Sequence, residues 1–229
     1  MVRAKGPGAH DLVRPNTLTS MAKEAIRVRV ITGEIAPGQI HSVPALAGAL
    51  GVSATPVREA MLELAAEGLV EAVPNRGFRV VEPSQHDLDE IFQVRLMLEV
   101  PASEQVARQG LISADQDHFQ ELVAVIEGRA ASGDTVGFLA ADREFHLGIL
   151  AALGNSRLVE IVGRLRDQAR LYGLPTLAQR GELRESAREH QDILDAVHDQ
   201  DGTRVAAIMA HHLEQTRGLW AGIAETAGR

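Results

Sequence analysis

Leu46-Ala47-Gly48-Ala49-Leu50-Gly51-Val52-Ser53-Ala54-Thr55-Pro56-Val57-Arg58-Glu59-Ala60 decides the fold of the first third of this 229-residue chain. Leu46, Ala47 and Leu50 give a short helix, about Val43 to Leu50, its apolar edge. Gly51 permits the tight turn that follows. Ser53 stands where a second helix needs an N-cap, and Val52 and Val57 then occupy the two positions of a hydrophobic staple. Pro56 falls in the first turn, where its missing N–H costs little. Val57, Ala60, Met61 and Leu64 share the inward face of this helix, which runs from about Ala54 to Glu67. Thr55, Arg58 and Glu59 are left facing outward near its start, the end that enters a major groove. The grammar is that of a helix-turn-helix.

The flanks extend the pattern. Upstream, Leu18 to about Thr32 reads as a helix with Met21, Ala22, Ala25, Ile26 and Val30 near one face. Gly33 and the turn Ala36-Pro37-Gly38 end it. Downstream, the β-prone pieces Leu69–Val73 and Phe78–Val81 flank Pro74-Asn75-Arg76-Gly77, a hairpin signal. That hairpin would form a wing with Arg76 at its tip for phosphate or minor-groove contact. Residues 1–16 lack periodicity and read as a mobile tail, with the winged helix-turn-helix over 17–82. Glu82-Pro83-Ser84 marks the boundary. From 85 to 225 no strand candidate remains. Helices are expected at about 85–109, 114–131, 135–153, 156–172, 180–200 and 203–224, with connections short enough for antiparallel neighbours. The expected class is mainly α: a winged helix with a small hairpin, then an all-helical antiparallel bundle of six to seven helices.

Composition narrows the function classes. At 45% hydrophobic and 24% charged, the chain is a globular protein rather than a disordered one. No stretch approaches about 20 apolar residues, so no membrane span is expected. The first 16 residues hold no apolar run and predict no secretory signal. With no Cys, disulfides, thiolate metal sites and cysteine nucleophiles are excluded, and a cytoplasmic setting fits best. Aromatics at 3% argue against stacking platforms for single strands. Residues 1–83 carry 9 Lys+Arg against 8 Asp+Glu, whereas residues 84–229 carry 14 against 23. An acidic chain is a poor generic polyanion binder, but its near-neutral N-terminal part can bind DNA if its cations share a face.

Residues about 18–81 resemble the winged helix of GntR-type bacterial transcription regulators. Ala36-Pro37-Gly38, Gly51 to Ala60, Glu67-Gly68-Leu69-Val70 and Pro74 to Gly77 carry the likeness. The resemblance implies that Ser53, Thr55 and Arg58 meet operator DNA from the recognition helix, and that Arg76 and Gly77 do so from the wing. Two departures stand out. Ala54 replaces the family's usual Arg, and His41-Ser42-Val43-Pro44 replaces its usual Glu-rich entry to the preceding helix.

In the second part, polar residues interrupt apolar stripes. Helix 135–153 has the stripe Phe138, Leu139, Phe145, Ile149, Leu150 and Leu153, with Asp142 and His146 inside it and four residues apart. Helix 180–200 places His190 within the stripe Leu183, Ala187, Ile193, Leu194 and Val197. Helix 203–224 places His212 among Val205, Ile208, Met209, Leu213, Leu219 and Trp220. His190 precedes Asp201 by 11 residues and His212 follows it by 11, so a hairpin turning there levels the two. Any one of these histidines alone would read as a satisfied core residue. Together, three imidazoles and a carboxylate are costly to bury unpaired, and one divalent cation would satisfy all four. Nitrogen-rich, sulfur-free donors suit Zn²⁺ best, with Ni²⁺, Co²⁺ or Mn²⁺ as alternatives. The remaining histidines, His10, His41, His86, His118, His198 and His211, read as surface residues. Glu144 and Glu189 adjoin the proposed ligands but should point away from them.

Residues about 86–224 resemble the FCD effector domain of FadR-like GntR regulators, in its metal-binding version. The likeness rests on Asp142-x-x-Phe145-His146, His190 and His212-Leu213. It implies a homodimer, a palindromic operator and a small carboxylic or sugar-acid effector that alters operator affinity, most often by relieving or enforcing repression. Arg95, inside the stripe Leu88, Ile91, Phe92, Leu98 and Ala102, is either the effector's cationic partner or an internal ion pair with Glu99. Asn155 is either the cap of helix 156–172 or, by the resemblance, a pocket residue. Two other readings compete: a metal-independent sensor of acyl thioesters, and a mononuclear metal-dependent enzyme. The sequence has no HExxH, no paired ExxH motifs and no nucleophile elbow, so no enzyme is expected.

Overall fold

A computed structural model describes residues 18–82, 84–172 and 183–220. The expected tail 1–16, His10 and the side chains of Leu219 and Trp220 lie outside the described residues. The N-terminal part runs α1 (Leu18–Ile31), β1 (Ile40–His41), α2 (Val43–Leu50), α3 (Ala54–Ala66), β2 (Val70–Val73) and β3 (Gly77–Val80). The strands form one antiparallel sheet in the order β1-β3-β2, with Val70 opposite Val80 and Ile40 opposite Arg79. β1 was not expected. Two residues are too few to show alternation, and their pairing is set by Gly38 N–H, which donates to the Val80 carbonyl at 3.0 Å.

Helix caps follow local chemistry. Ser42 accepts from Ala45 N–H and opens α2, and Gly51, in left-handed conformation at φ 67°, ends it. Ser53 holds the N-cap position of α3, but its side chain makes no capping bond, which corrects the role expected for it as a side-chain cap. Val52 and Val57 do both join the core between the helices.

The wing explains a glycine. Val73 pairs with Gly77 across the loop Pro74-Asn75-Arg76, and Asn75 takes the left-handed conformation such a loop requires. Gly77 has φ 126°, and a Cβ there would lie 2.2 Å from the His41 carbonyl oxygen. Backbone conformation and the close pass of β1 together account for glycine at this position.

The helical part runs α4 (Gln85–Gln109), α5 (Gln116–Ser132), α6 (Thr135–Ala151), α7 (Ser156–Ala169), α8 (Leu183–His198) and α9 (Gly202–Trp220). A capping box between Ser84 and Asp87 starts α4 at the expected boundary. The single helix expected over 156–172 becomes α7 plus a 3₁₀ turn, Arg170–Tyr172. α4 packs on α9 and α7, α5 on α6 and α8, and α8 on α9. No described helix is long and apolar enough to cross a membrane.

Two main cores result. Ile26, Val57, Leu64, Leu69 and Val80 centre the first. Leu88, Phe92, Ile126, Phe145, Ile193 and Met209 centre the second. They exchange residues at their seam: Ile31 of α1 belongs to the helical core, and Leu171 packs on the winged-helix core. Gly77→Ala should cost about 1–3 kcal/mol from backbone strain, before the clash with His41. Gly48→Ala, in open space within α2, should be neutral or stabilising by up to about 1 kcal/mol. Urea unfolding compares them, and equal stabilities would contradict this account of the wing.

Candidate functional site

The buried cluster is built by three helices. α6 carries Asp142 and His146 one turn apart, α8 carries His190 and α9 carries His212, each on the face that its apolar neighbours turn inward. One ligand atom from each lies within 4.8 Å of every other. The ring of His146 stacks on that of His212 at 5.0 Å, and His190 meets both edge-on at 5.0 Å. Phe145 closes one side, edge-on to His146 and His190.

Asp142 divides its two oxygens between opposite partners. Oδ1 faces His190 Nε2 at 3.2 Å and His146 Nε2 at 3.6 Å. Oδ2 accepts from Arg166 at 2.9 Å and from Arg170 at 2.6 Å. Burial alone would push its carboxyl up, but Arg166, the hydrogen bond with His190 and the neighbouring charges hold it well below the usual carboxylate range. Burial keeps the His146 ring well below its ordinary value, with Arg166 adding to the effect, and burial also lowers His212. Both rings are therefore neutral near pH 7, so a cation arriving there would displace no proton from them.

Hydrogen bonds set the two outer rings. His212 Nδ1 lies 2.6 Å from Glu189 Oε2, and His190 Nδ1 lies 3.0 Å from the Ser186 carbonyl. Both partners are acceptors, so each Nδ1 donates, which leaves each Nε2 facing the cluster. Glu189 was expected to point away. It lies on α8 beside His190, yet its carboxylate reaches across to α9, a pairing between helices that spacing within one helix does not reveal.

Sequence reasoning offered an Arg95–Glu99 pair but missed the chain of buried charges that extends it through Arg166. Arg166 on α7 bridges Asp142 and Glu99, donating to Glu99 at 2.6 Å. Glu99 also accepts from Arg95 Nε at 2.6 Å, and Arg95 lies over the Phe92 ring at 4.8 Å. Arg95 is thus inside the bundle and paired with Glu99. Burial lowers its guanidinium to about 10 against the pull of Glu99. Leu158, Val162, Arg166 and Arg170 form one i, i+4 row, and that continuation of an apolar row was the available signal.

The other expected positions are plainly placed. Thr55 and Arg58 are exposed at the start of α3, as are Ser53 just before it and Arg76 at the wing tip. Gly77 is half-buried, held by the close pass of β1. Asn155 is exposed and its side chain accepts from Leu158 N–H at 3.2 Å, so it caps α7 and its contacts do not bring it to the cluster. His86, His118, His198 and His211 are exposed, but His41 is half-buried, with Nε2 enclosed and unbonded, which corrects its reading as a surface residue.

Two family descriptions match this chain. Residues 18–80 match the bacterial regulatory proteins of the gntR family, and residues 90–215 match the FCD domain. The chain belongs to the GntR family of transcription regulators, in its FCD-containing, FadR-like group. It is 30% identical over 203 residues to the HTH-type transcriptional regulator McbR of Escherichia coli, covering 86% of this chain and 91% of McbR. A gluconate operon transcriptional repressor of Bacillus licheniformis is 28% identical over 184 residues, covering 80% of this chain and 74% of the repressor. The solved structure of Escherichia coli McbR superposes with a TM-score of 0.81 at 27% identity, covering 90% of this chain and 98% of that one. The family and these relatives are DNA-binding transcription regulators, not enzymes.

Arg166→Met would leave Glu99 and Asp142 each short of a buried cationic partner. A loss of about 3–5 kcal/mol in urea unfolding is expected. A loss below about 1 kcal/mol, the range of exposed pairs, would contradict the buried network.

Proposed function

We propose that this chain is an operator-binding repressor that senses a small carboxylic acid through a divalent cation held by Asp142, His146, His190 and His212. One observation carries the reading. His190 lies between two acceptors, the Ser186 carbonyl and Asp142 Oδ1, and a ring that carries a single proton can satisfy only one of them. His146 Nε2 beside it is buried without a hydrogen-bond partner. A cation among these atoms relieves both. Three imidazole nitrogens and one carboxylate oxygen suit Zn²⁺ first and Ni²⁺, Co²⁺ or Mn²⁺ next. Bound there, the metal would supply a Lewis-acid centre for an anionic oxygen.

Charge balance supports an anionic effector. Arg27, Arg95, Arg166 and Arg170 already outnumber Glu99, Asp142 and Asp167 among the buried charged residues. A divalent cation adds further positive charge to this interior, which a carboxylate offsets. Arg95 is the side chain we assign to that carboxylate, exchanging Glu99 for it. The relative named for the gluconate operon favours a hydroxy acid or sugar acid over an acyl thioester. A homodimer working in the cytoplasm on a palindromic operator completes the proposal. Val94, Met97 and Pro101 form an exposed apolar stripe along α4 suited to a subunit contact, Met97 being 71% exposed. Ser53, Thr55 and Arg58 would read the major groove, with Arg76 on the backbone.

Native mass spectrometry with elemental analysis should find one divalent metal per chain, lost in His146→Ala. A metal-free protein that takes up none of the four ions would end the metal reading. Footprinting on DNA near the protein's own gene should protect a palindrome, and Arg58→Ala should weaken binding and lower the salt slope by about 1 if it meets a phosphate. No protected site would end the operator reading. A sugar acid should change operator affinity by about 5–150-fold, the range of ordinary coupling energies.

A further inference from the structure

The cluster is joined to the DNA-reading helix by a run of alternating charges. Arg170 donates to Asp142 Oδ2 through Nη2, while its Nη1 lies 3.8 Å from Asp167 Oδ1. Asp167 Oδ2 lies 3.6 Å from Arg27 Nε on α1. Arg27 Nη2 reaches Glu67 Oε2 at 2.5 Å, and Glu67 is the residue that ends α3. Beside this run, Gln168 donates to the Glu67 carbonyl at 2.7 Å, close enough that a Cβ on Gly68 would strike its amide. Arg27, Asp167 and Arg170 are all buried, so bulk water screens them little.

The links are unequal. Asp167 faces three guanidinium groups, Arg27, Arg143 at 3.2 Å and Arg170. Arg27 Nε is buried with no hydrogen bond, so charge alone ties it to Asp167, whereas its Nη2 bonds Glu67 directly. The Arg27–Asp167 contact is therefore the link most readily lost when another cation claims Asp167. It lies in a narrow crevice between α1, α6 and α7, lined by Val28, Val136, Arg143, Asp167 and Arg170.

We propose that Asp167 and Arg170 are positioning residues that make the docking of the winged helix depend on the charge at Asp142. Positive charge gained at Asp142, or negative charge lost there, weakens its hold on Arg170. Arg170 then turns toward Asp167, Arg27 is left to Glu67 and to Glu24 on its own helix, and the seam between the two cores loosens. The inference rests on the cation-binding reading for its trigger, but not for the path itself.

Hydrogen exchange on the full chain, with Zn²⁺ as the probe, tests it. Zn²⁺ should quicken exchange several-fold in peptides covering residues 24–31 and 64–69 of the wild type. Asp167→Asn should exchange fast there from the start, ignore Zn²⁺ and still take up one ion per chain. Arg27→Gln, at the far end of the path, should behave likewise. Asp142→Asn should quicken the same peptides with no metal present. The proposal is overturned if Asp167→Asn or Arg27→Gln keeps the wild-type Zn²⁺ response, or if a folded Asp142→Asn leaves both peptides unchanged. Failure of the wild type to bind Zn²⁺, with Asp142→Asn still quickening exchange, would uphold the path and overturn the cation reading instead.

Discussion

A single buried carboxylate organises the helical half of this protein. Asp142 is 7% exposed, and an ionised carboxylate at that depth persists only with opposite charge on hand. Arg166 and Arg170 supply it on one oxygen, leaving the other for the imidazoles. The two arginines in turn need Glu99 and Asp167, and those draw in Arg95, Arg27 and Arg143. Satisfying one charge thus commits side chains from α1, α4, α6 and α7. The polar network and the apolar core determine each other, because its members fill positions on rows that would otherwise be apolar.

The two halves use different physics for their work. The winged helix keeps Thr55, Arg58 and Arg76 at the surface, where charge and hydrogen bonds can be exchanged with a nucleic acid. The helical half hides its polar groups, where the low dielectric strengthens whatever binds among them. Ile31 and Leu171, each packed on the opposite core, join the halves at the seam.

Most of the architecture could be read from the sequence. The boundaries of α2 and α4 matched because their signals are local: Gly51, Gly110 and the Ser84–Asp87 capping box. Convergence of Asp142, His146, His190 and His212 followed from polar residues within apolar stripes and from equal distances to the turn at Asp201. What was not legible depends on pairing between elements. β1 exists only because β3 lies beside it, and Glu189 meets His212 only because α8 and α9 are adjacent. Arg166 and Arg170 were passed over because charged residues on a helix ordinarily face water, and only their place in the Leu158–Val162 row argued otherwise. Arg95 could be placed inside the bundle from its stripe, but Arg166 as the second partner of Glu99 emerges only once α7 lies against α4.

X-ray absorption at the edge of the bound metal tests the central claim most directly. The account predicts a coordination sphere with three imidazole nitrogens and at least one oxygen, and loss of one imidazole when His190 is replaced by Gln. A sphere made only of oxygens, or one unchanged by that replacement, would place the metal elsewhere and contradict the account.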